Sequence, residues 1–190
     1  MEKTSPTRYG RLAQSFHWLT AVLVLSAFIL GPEGSEQNIY LPIADFERQW
    51  HETLGLSVFA LVALRLLWRF FDQRPAAPDL PRWMNRLSAG VHGLLYLLLF
   101  AVPLSAIAGA WLEGHPLTLL AGLQIAPPIA ASHDLGESIS ELHGLLGDVI
   151  LWLAGLHAAA AIFHHFRLKD QVLVSMLPRW LPFFNRPPKI

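Results

Sequence analysis

Cysteine is absent from the chain. That excludes disulfides, iron–sulfur clusters, thiolate zinc sites and covalently attached c-type haem, and leaves histidine and carboxylate as the strong metal ligands. Charge is scarce as well: 15% of the 190 residues are charged against 53% hydrophobic, a balance too apolar for an ordinary soluble domain. Strand-type alternation is missing, so a closed barrel is disfavoured as a means of satisfying backbone groups in lipid and helices are preferred. Lysine and arginine are missing altogether between Glu113 and Glu141.

Long apolar runs, in contrast, fill most of the sequence. They extend roughly from Leu12 to Leu30, Leu54 to Phe71, Val91 to Leu112 and Leu142 to Phe166, each near the ~20 residues that carry a helix across a ~30 Å hydrocarbon core. The expected fold is all-α, an integral-membrane four-helix bundle over residues 1–178 with an interfacial tail at 179–190. Basic residues precede the first run, but Gly31-Pro32-Glu33-Gly34 follows it without a small-x-small cleavage pattern, so it reads as a retained helix. Pro103 inside the third run predicts a kink whose freed carbonyl finds another partner. Leu117 to Leu123 is expected to form a short helix or re-entrant cap over the bundle. Val172 to Phe184 mixes apolar, aromatic and basic residues, as suits a segment lying on a leaflet.

The formal net charge is zero, but its distribution is uneven. Lys3, Arg8 and Arg11 precede the first span, Arg65 to Arg86 cluster about the second connection, and Arg167, Lys169, Arg179, Arg186 and Lys189 follow the fourth. The first connection holds only Arg48. By the positive-inside rule both termini and the middle connection are cytoplasmic. The two outer connections are then acidic, with Glu33, Glu36, Asp45, Glu47, Glu52, Glu113, Asp134, Glu137 and Glu141.

Four histidines lie in or at the ends of these apolar runs, where an ionisable residue points to function. With ~1.5 Å rise per residue, His17 lies roughly 8 Å and His157 about 14 Å from the cytoplasmic side, while His51 and His143 stand at the opposite end. The pairs are therefore His17 with His157 and His51 with His143. Fourteen residues separate His143 from His157, close to four turns at ~3.6 residues per turn, which places both rings on one helix face roughly 21 Å apart. Two neutral imidazoles per site, without cysteine, suit the axial positions of a b-type haem better than tetrahedral zinc. Gly55, Gly144, Gly147, Gly155 and Ala158 to Ala161 leave room for a porphyrin beside these rings.

Further residues are weighed around the two pairs. His92 enters the third span at a depth similar to His17 and is a rival ligand, or else a propionate or hydrogen-bond partner. Arg65 and Arg69 are candidate propionate contacts. His164 follows His157 by about two turns and is a candidate quinone contact; the alternative is an interfacial histidine facing headgroups, with His165 beside it. His115 and His133 are read as solvated residues of the outer connection that could also line an entry path.

Together, Arg8-Tyr9-Gly10, Phe16-His17-Trp18-Leu19, His51-Glu52-Thr53-Leu54-Gly55, Leu64-Arg65-Leu66-Leu67-Trp68-Arg69, His143-Gly144, Gly155-Leu156-His157-Ala158 and His164-His165-Phe166 make a pattern. It resembles the bacterial cytochrome b561 family from Thr7 to about Pro178. The resemblance implies a multi-pass inner-membrane cytochrome with two b haems, one on His17 and His157 and the other on His51 and His143. In one branch it also implies transfer of electrons from periplasmic superoxide to ubiquinone. Anion collection needs a positive field at the mouth of the site, for which the outer connections offer only Arg48 against many acids, with His115 and His133 able to compensate if protonated.

The reading is a transmembrane electron carrier with membrane lipid, ubiquinone and a small reductant such as superoxide as partners, and no nucleic acid. Two other readings stay open: an electron-transfer subunit anchoring a separate dehydrogenase, and a haem-free transporter in which the histidines relay protons.

Overall fold

The computed structural model describes residues 8–32, 40–41, 45–72, 75 and 80–178. The tail at 179–190, including the expected interfacial stretch beyond Pro178, lies outside them. Four long helices dominate: α1 (Arg11–Ile29), α2 (Asp45–Arg69), α3 (Arg82–Leu112) and α4 (His133–Phe163). All four are long and apolar enough to cross a membrane. Their outward faces carry Leu19, Val22, Ile29, Leu64, Leu67, Leu97, Leu104, Leu145, Trp152 and Leu156 in exposed positions, the distribution expected of a bundle solvated by lipid rather than water.

Three of the helices begin before their apolar runs. α2 starts at Asp45 rather than near Leu54, α3 at Arg82 rather than Val91, and α4 at His133 rather than Leu142. Hydropathy marks where a helix meets lipid, whereas backbone hydrogen bonding carries it on into polar surroundings. Asp45 and Glu47 favour the first turn of α2 and Asp134 that of α4, since a carboxylate complements the positive end of a helix. His51 and His143 consequently stand inside helices, not at their starts. α1 ends where expected: Pro32 cannot continue it and disfavours helical backbone at Gly31.

α1 packs on α2, α2 on α3, and α3 most extensively on α4. Two glycines allow that last approach: a Cβ at Gly109 would lie 2.5 Å from Ser140 Oγ, and one at Gly136 would lie 2.7 Å from Glu113 Cγ and 2.9 Å from the Glu113 backbone nitrogen. Ser140 Oγ donates to the buried Glu113 carboxylate at 2.7 Å, tying the same ends together. Gly114, at φ 86°, turns the chain out of α3 in the left-handed region that glycine enters without steric cost.

Leu117 to Leu123 forms a cap, but not a short α-helix. Leu117–Thr118 (β1) pairs antiparallel with Gln124–Ile125 (β2) around a single 3-10 turn at Leu120–Gly122. Tertiary hydrogen bonds override the apolar periodicity there: the Glu52 carboxylate accepts from the Thr118 N–H, and Thr53 Oγ1 accepts from the Leu120 N–H at 3.0 Å. This is the hairpin end of the bundle.

At the other end α4 widens into a π-helical turn, His164–Leu168, and the chain reverses through Lys169 at φ 57°. A one-turn helix, α5 (Val172–Met176), then lies back across the start of α1. Trp18 Nε1 donates to Met176 O at 3.0 Å, and the Tyr9 N–H to Ser175 O at 3.1 Å. Residues 170–178 are called the strap below.

Candidate functional site

Between the α1–α2 pair and the α3–α4 pair lies a cavity near the hairpin end to which all four helices contribute. Val24 and Ala27 come from α1, His51 and Gly55 from α2, Val102 from α3, and His143 from α4. The two histidines face each other across it with ring centres 5.9 Å apart and planes 86° apart.

Each ring is held by a backbone carbonyl. His51 Nδ1 donates to Ala27 O at 2.8 Å, and His143 Nδ1 donates to Val102 O at 2.9 Å. A carbonyl can only accept, so both rings carry the proton on Nδ1 and keep the Nε2 lone pair free. Helix ends explain the first partner. The last carbonyls of a helix have no intrahelical donor; at the end of α1 the Leu30 and Gly31 N–H groups take Ser26 O and Phe28 O, and His51 takes the Ala27 carbonyl between them. Gly31 keeps that corner open, since a Cβ there would lie 3.2 Å from Phe28 O and 3.6 Å from His51 Nδ1. The second partner is the carbonyl just before Pro103. Ser105 Oγ also donates to it at 2.8 Å, which leaves that hydroxyl only an acceptor toward His143 Nδ1, 3.4 Å away.

Toward the strap, His17 on α1 and His157 on α4 have ring centres 6.4 Å apart at 72°. His92 on α3 is also close, its ring centre 5.1 Å from that of His157. Its Nδ1 donates to Ser88 O at 2.6 Å, one turn back on its own helix. Arg65 Nη2 lies 3.4 Å from His17 Nδ1. Arg65 and Arg69 both sit over the Tyr96 ring, 5.6 and 5.4 Å from its centre, and this stacking gathers two like charges at one point of the bundle.

Two observations test whether a metal porphyrin fits. A metal–imidazole nitrogen bond of about 2.0–2.1 Å, with the ring centre about 1 Å beyond the nitrogen, puts two trans rings about 6 Å centre to centre; the His51–His143 and His17–His157 pairs stand at 5.9 and 6.4 Å. A Cβ added at Gly55, Gly144, Gly147 or Gly155 would meet nothing within 4 Å. These glycines are not needed for helix packing, although glycine inside a helix costs roughly 0.5–1 kcal/mol relative to alanine. Gly55 and Gly147 line the cavity beside His51 and His143, while Gly144 and Gly155 are exposed. The residues fit the group.

A model of the prokaryotic cytochrome b561 family matches residues 8–179. The chain belongs to that family. It is 30% identical to cytochrome b561 homolog 2 of Escherichia coli K12 over 176 residues, covering 91% of this chain and 93% of the relative. It is 31% identical to cytochrome b562 of Cereibacter sphaeroides over 180 residues, 92% and 98% of the two chains. A probable superoxide oxidase, CybB, of Yersinia pestis is 29% identical over 174 residues, 90% and 97%. The chain is therefore a bacterial membrane haem protein of the b type, and its four-helix architecture is that of a membrane cytochrome.

In this cytochrome several residues singled out in the sequence are engaged elsewhere. Arg48 is buried and ion-paired with Asp45 at 2.5 Å and Glu52 at 3.2 Å, besides lying 5.3 Å from the Tyr40 ring centre. His115 stacks on Tyr40 with ring centres 3.5 Å apart. His133 opens α4 in an exposed position. His164 stands in the π turn, its Nδ1 2.5 Å from Asp170 Oδ2. Tyr96 and the carbonyls of Ala27 and Val102 did not emerge from the sequence. Backbone carbonyls have no residue signature, and the pairing of Tyr96 with two arginines requires α2 and α3 to be docked.

The fit can be checked at Gly147. Gly147→Leu is expected to stabilise α4 by roughly 0.5–1 kcal/mol through backbone propensity, while filling porphyrin space and removing most of the haem at the hairpin end. Thermal melting of the haem-free protein and haem content of the loaded protein give the two readings.

Proposed function

We propose that the chain is a dihaem b-type cytochrome moving single electrons across the inner membrane, with ubiquinone as acceptor and superoxide or another small periplasmic reductant as donor. His51 and His143 hold the outer haem, and His17 and His157 the inner one. Both termini are cytoplasmic, so the hairpin end is periplasmic. The observation that carries the reading is the double pairing: two sets of facing imidazoles, each at the separation of trans axial ligands, share α4 about four turns apart.

The two histidine pairs would each hold a haem, which would supply the one-electron redox change when bound. The chain's own residues orient and tune. Ala27 O and Val102 O hold the outer rings with Nε2 presented, fixing tautomer and ring orientation as a hydrogen bond to the far nitrogen of a metal-binding histidine usually does. At the inner site a guanidinium can only donate, so the Arg65 contact places a lone pair on His17 Nδ1. Ligation through Nε2 would need the proton on His17 Nδ1, and Arg65 and Arg69 would then be free to hold a haem propionate. His92 stands by as a polar partner of the inner site, and His164 faces quinone at the cytoplasmic edge through its Nε2.

A second reading, an electron-transfer subunit that anchors a separate dehydrogenase, is favoured by Arg48. It is the sole lysine or arginine in the outer connections, and two carboxylates neutralise it. An anion approaching this face meets little attraction.

One measurement separates the readings. The purified chain, supplied with superoxide and ubiquinone, is expected to form ubiquinol, two superoxide ions giving one electron each and leaving as dioxygen while the quinone takes two protons. His157→Ala should return that rate to the protein-free background. No reduction by superoxide, with a dehydrogenase co-purifying, supports the anchor instead.

A further inference from the structure

We infer that the strap, residues 170–178, sets the register of His17 against His157, and that Gln14 and Asp170 are positioning residues for the inner haem. This rests on the dihaem reading and extends it to residues that touch neither haem nor substrate.

The problem the strap solves is geometric. α1 packs mainly on α2 and α4 mainly on α3, whereas α1 and α4 share at most slight backbone contact. Yet His17 and His157, one from each, must meet. Helix packing links α1 to α4 by way of α2 and α3, and a direct tie between the two adds to what fixes how far α1 slides or turns relative to α4. The chain leaving α4 supplies the link, because it doubles back and bonds to α1 on either side of His17.

The attachments are specific at both ends. At the elbow Asp170 uses both carboxylate oxygens: Oδ2 meets His164 Nδ1 at 2.5 Å, and Oδ1 accepts from the Val172 N–H at 3.0 Å. The reversal is thereby fixed to α4 about two turns from His157. At the far end Gln14, 6% exposed, donates from Nε2 to Ser175 O and to Leu177 O, both at 3.2 Å. These carbonyls lie at the C-terminus of α5, where a helix has none of its own donors left. A one-turn helix cannot persist without such support, since nucleation is unfavourable. Gln14 thus both completes α5 and attaches it to α1, three residues before His17. Trp18, which follows His17, bonds to Met176 O and meets the His17 ring edge-on at 5.4 Å.

The test uses full-length protein loaded with haem, comparing Gln14→Leu, which keeps the volume and removes both donors, with Asp170→Ala, which removes both carboxylate oxygens at the elbow. The inner haem signal is identified as the one lost in His157→Ala, the outer as the one lost in His143→Ala. Each strap variant is expected to shift the low-spin EPR g-values and the potential of the inner signal while leaving the outer signal in place. In haem-free protein, spin labels at Arg11→Cys and Gln171→Cys, clean because the chain has no native cysteine, should give a narrow distance distribution that Gln14→Leu broadens. Inner parameters unchanged in both variants, or inner and outer signals shifted alike, overturn the inference. A wild-type protein without an inner signal overturns the dihaem reading and the inference with it.

Discussion

Replacing His143 by alanine is expected to halve the haem bound per chain, removing the outer signal and sparing the inner one. The effect should be near complete because His143 is half of the proposed axial pair at that end among the described residues, and a porphyrin left with His51 alone would lose its second strong ligand. His157→Ala should do the reverse. Its cost at the inner site should be the larger, since its ring is neighbour to both His17 and His92. Pyridine haemochrome content and redox-resolved spectra of the purified variants measure both. If His92→Ala loses a haem while His17→Ala keeps two, the inner assignment is wrong and α3, not α1, supplies that ligand.

Gly136→Val is expected to be the most destabilising substitution at the hairpin end. A Cβ at Gly136 would stand 2.9 Å from Glu113 N and 3.1 Å from Leu112 C, backbone atoms that cannot rotate away. Overpacking of this kind costs typically about 1–3 kcal/mol, and the valine adds atoms beyond Cβ. Forcing α3 from α4 there also strains the bond from His143 Nδ1 to Val102 O, so the outer haem should be lost more readily than the inner as the protein is warmed. Thermal melting of the haem-free protein and the order in which haem signals vanish on heating test the two parts separately. At Gly147, in contrast, a Cβ meets open space, so helix contact does not require glycine there.

The candidate ligands were legible because they combine two strong signals. A histidine in an apolar run stands out against composition, and fourteen residues on one helix convert sequence spacing into a shared face. The helix boundaries were less legible. The runs at Leu54, Val91 and Leu142 report only where side chains meet lipid, and the polar turns from Asp45, Arg82 and His133 look like loops to a hydropathy reading. Leu117 to Leu123 has the composition of a short apolar helix, and its hairpin depends on Glu52 and Thr53 reaching it from α2.

By itself the sequence determined a cysteine-free, four-span helical membrane protein with histidines at two depths, because lipid imposes length, hydropathy and helical backbone directly on residue order. Only the tertiary structure decided which nitrogen each outer ring presents, since the Ala27 and Val102 carbonyls that hold the Nδ1 protons are identical in every residue until helices dock. It also decided that Arg65 and Arg69 converge on Tyr96, and that a returning strap reaches from the end of α4 to α1. Each of these is a contact between distant parts of the chain, and local pattern carries no record of it.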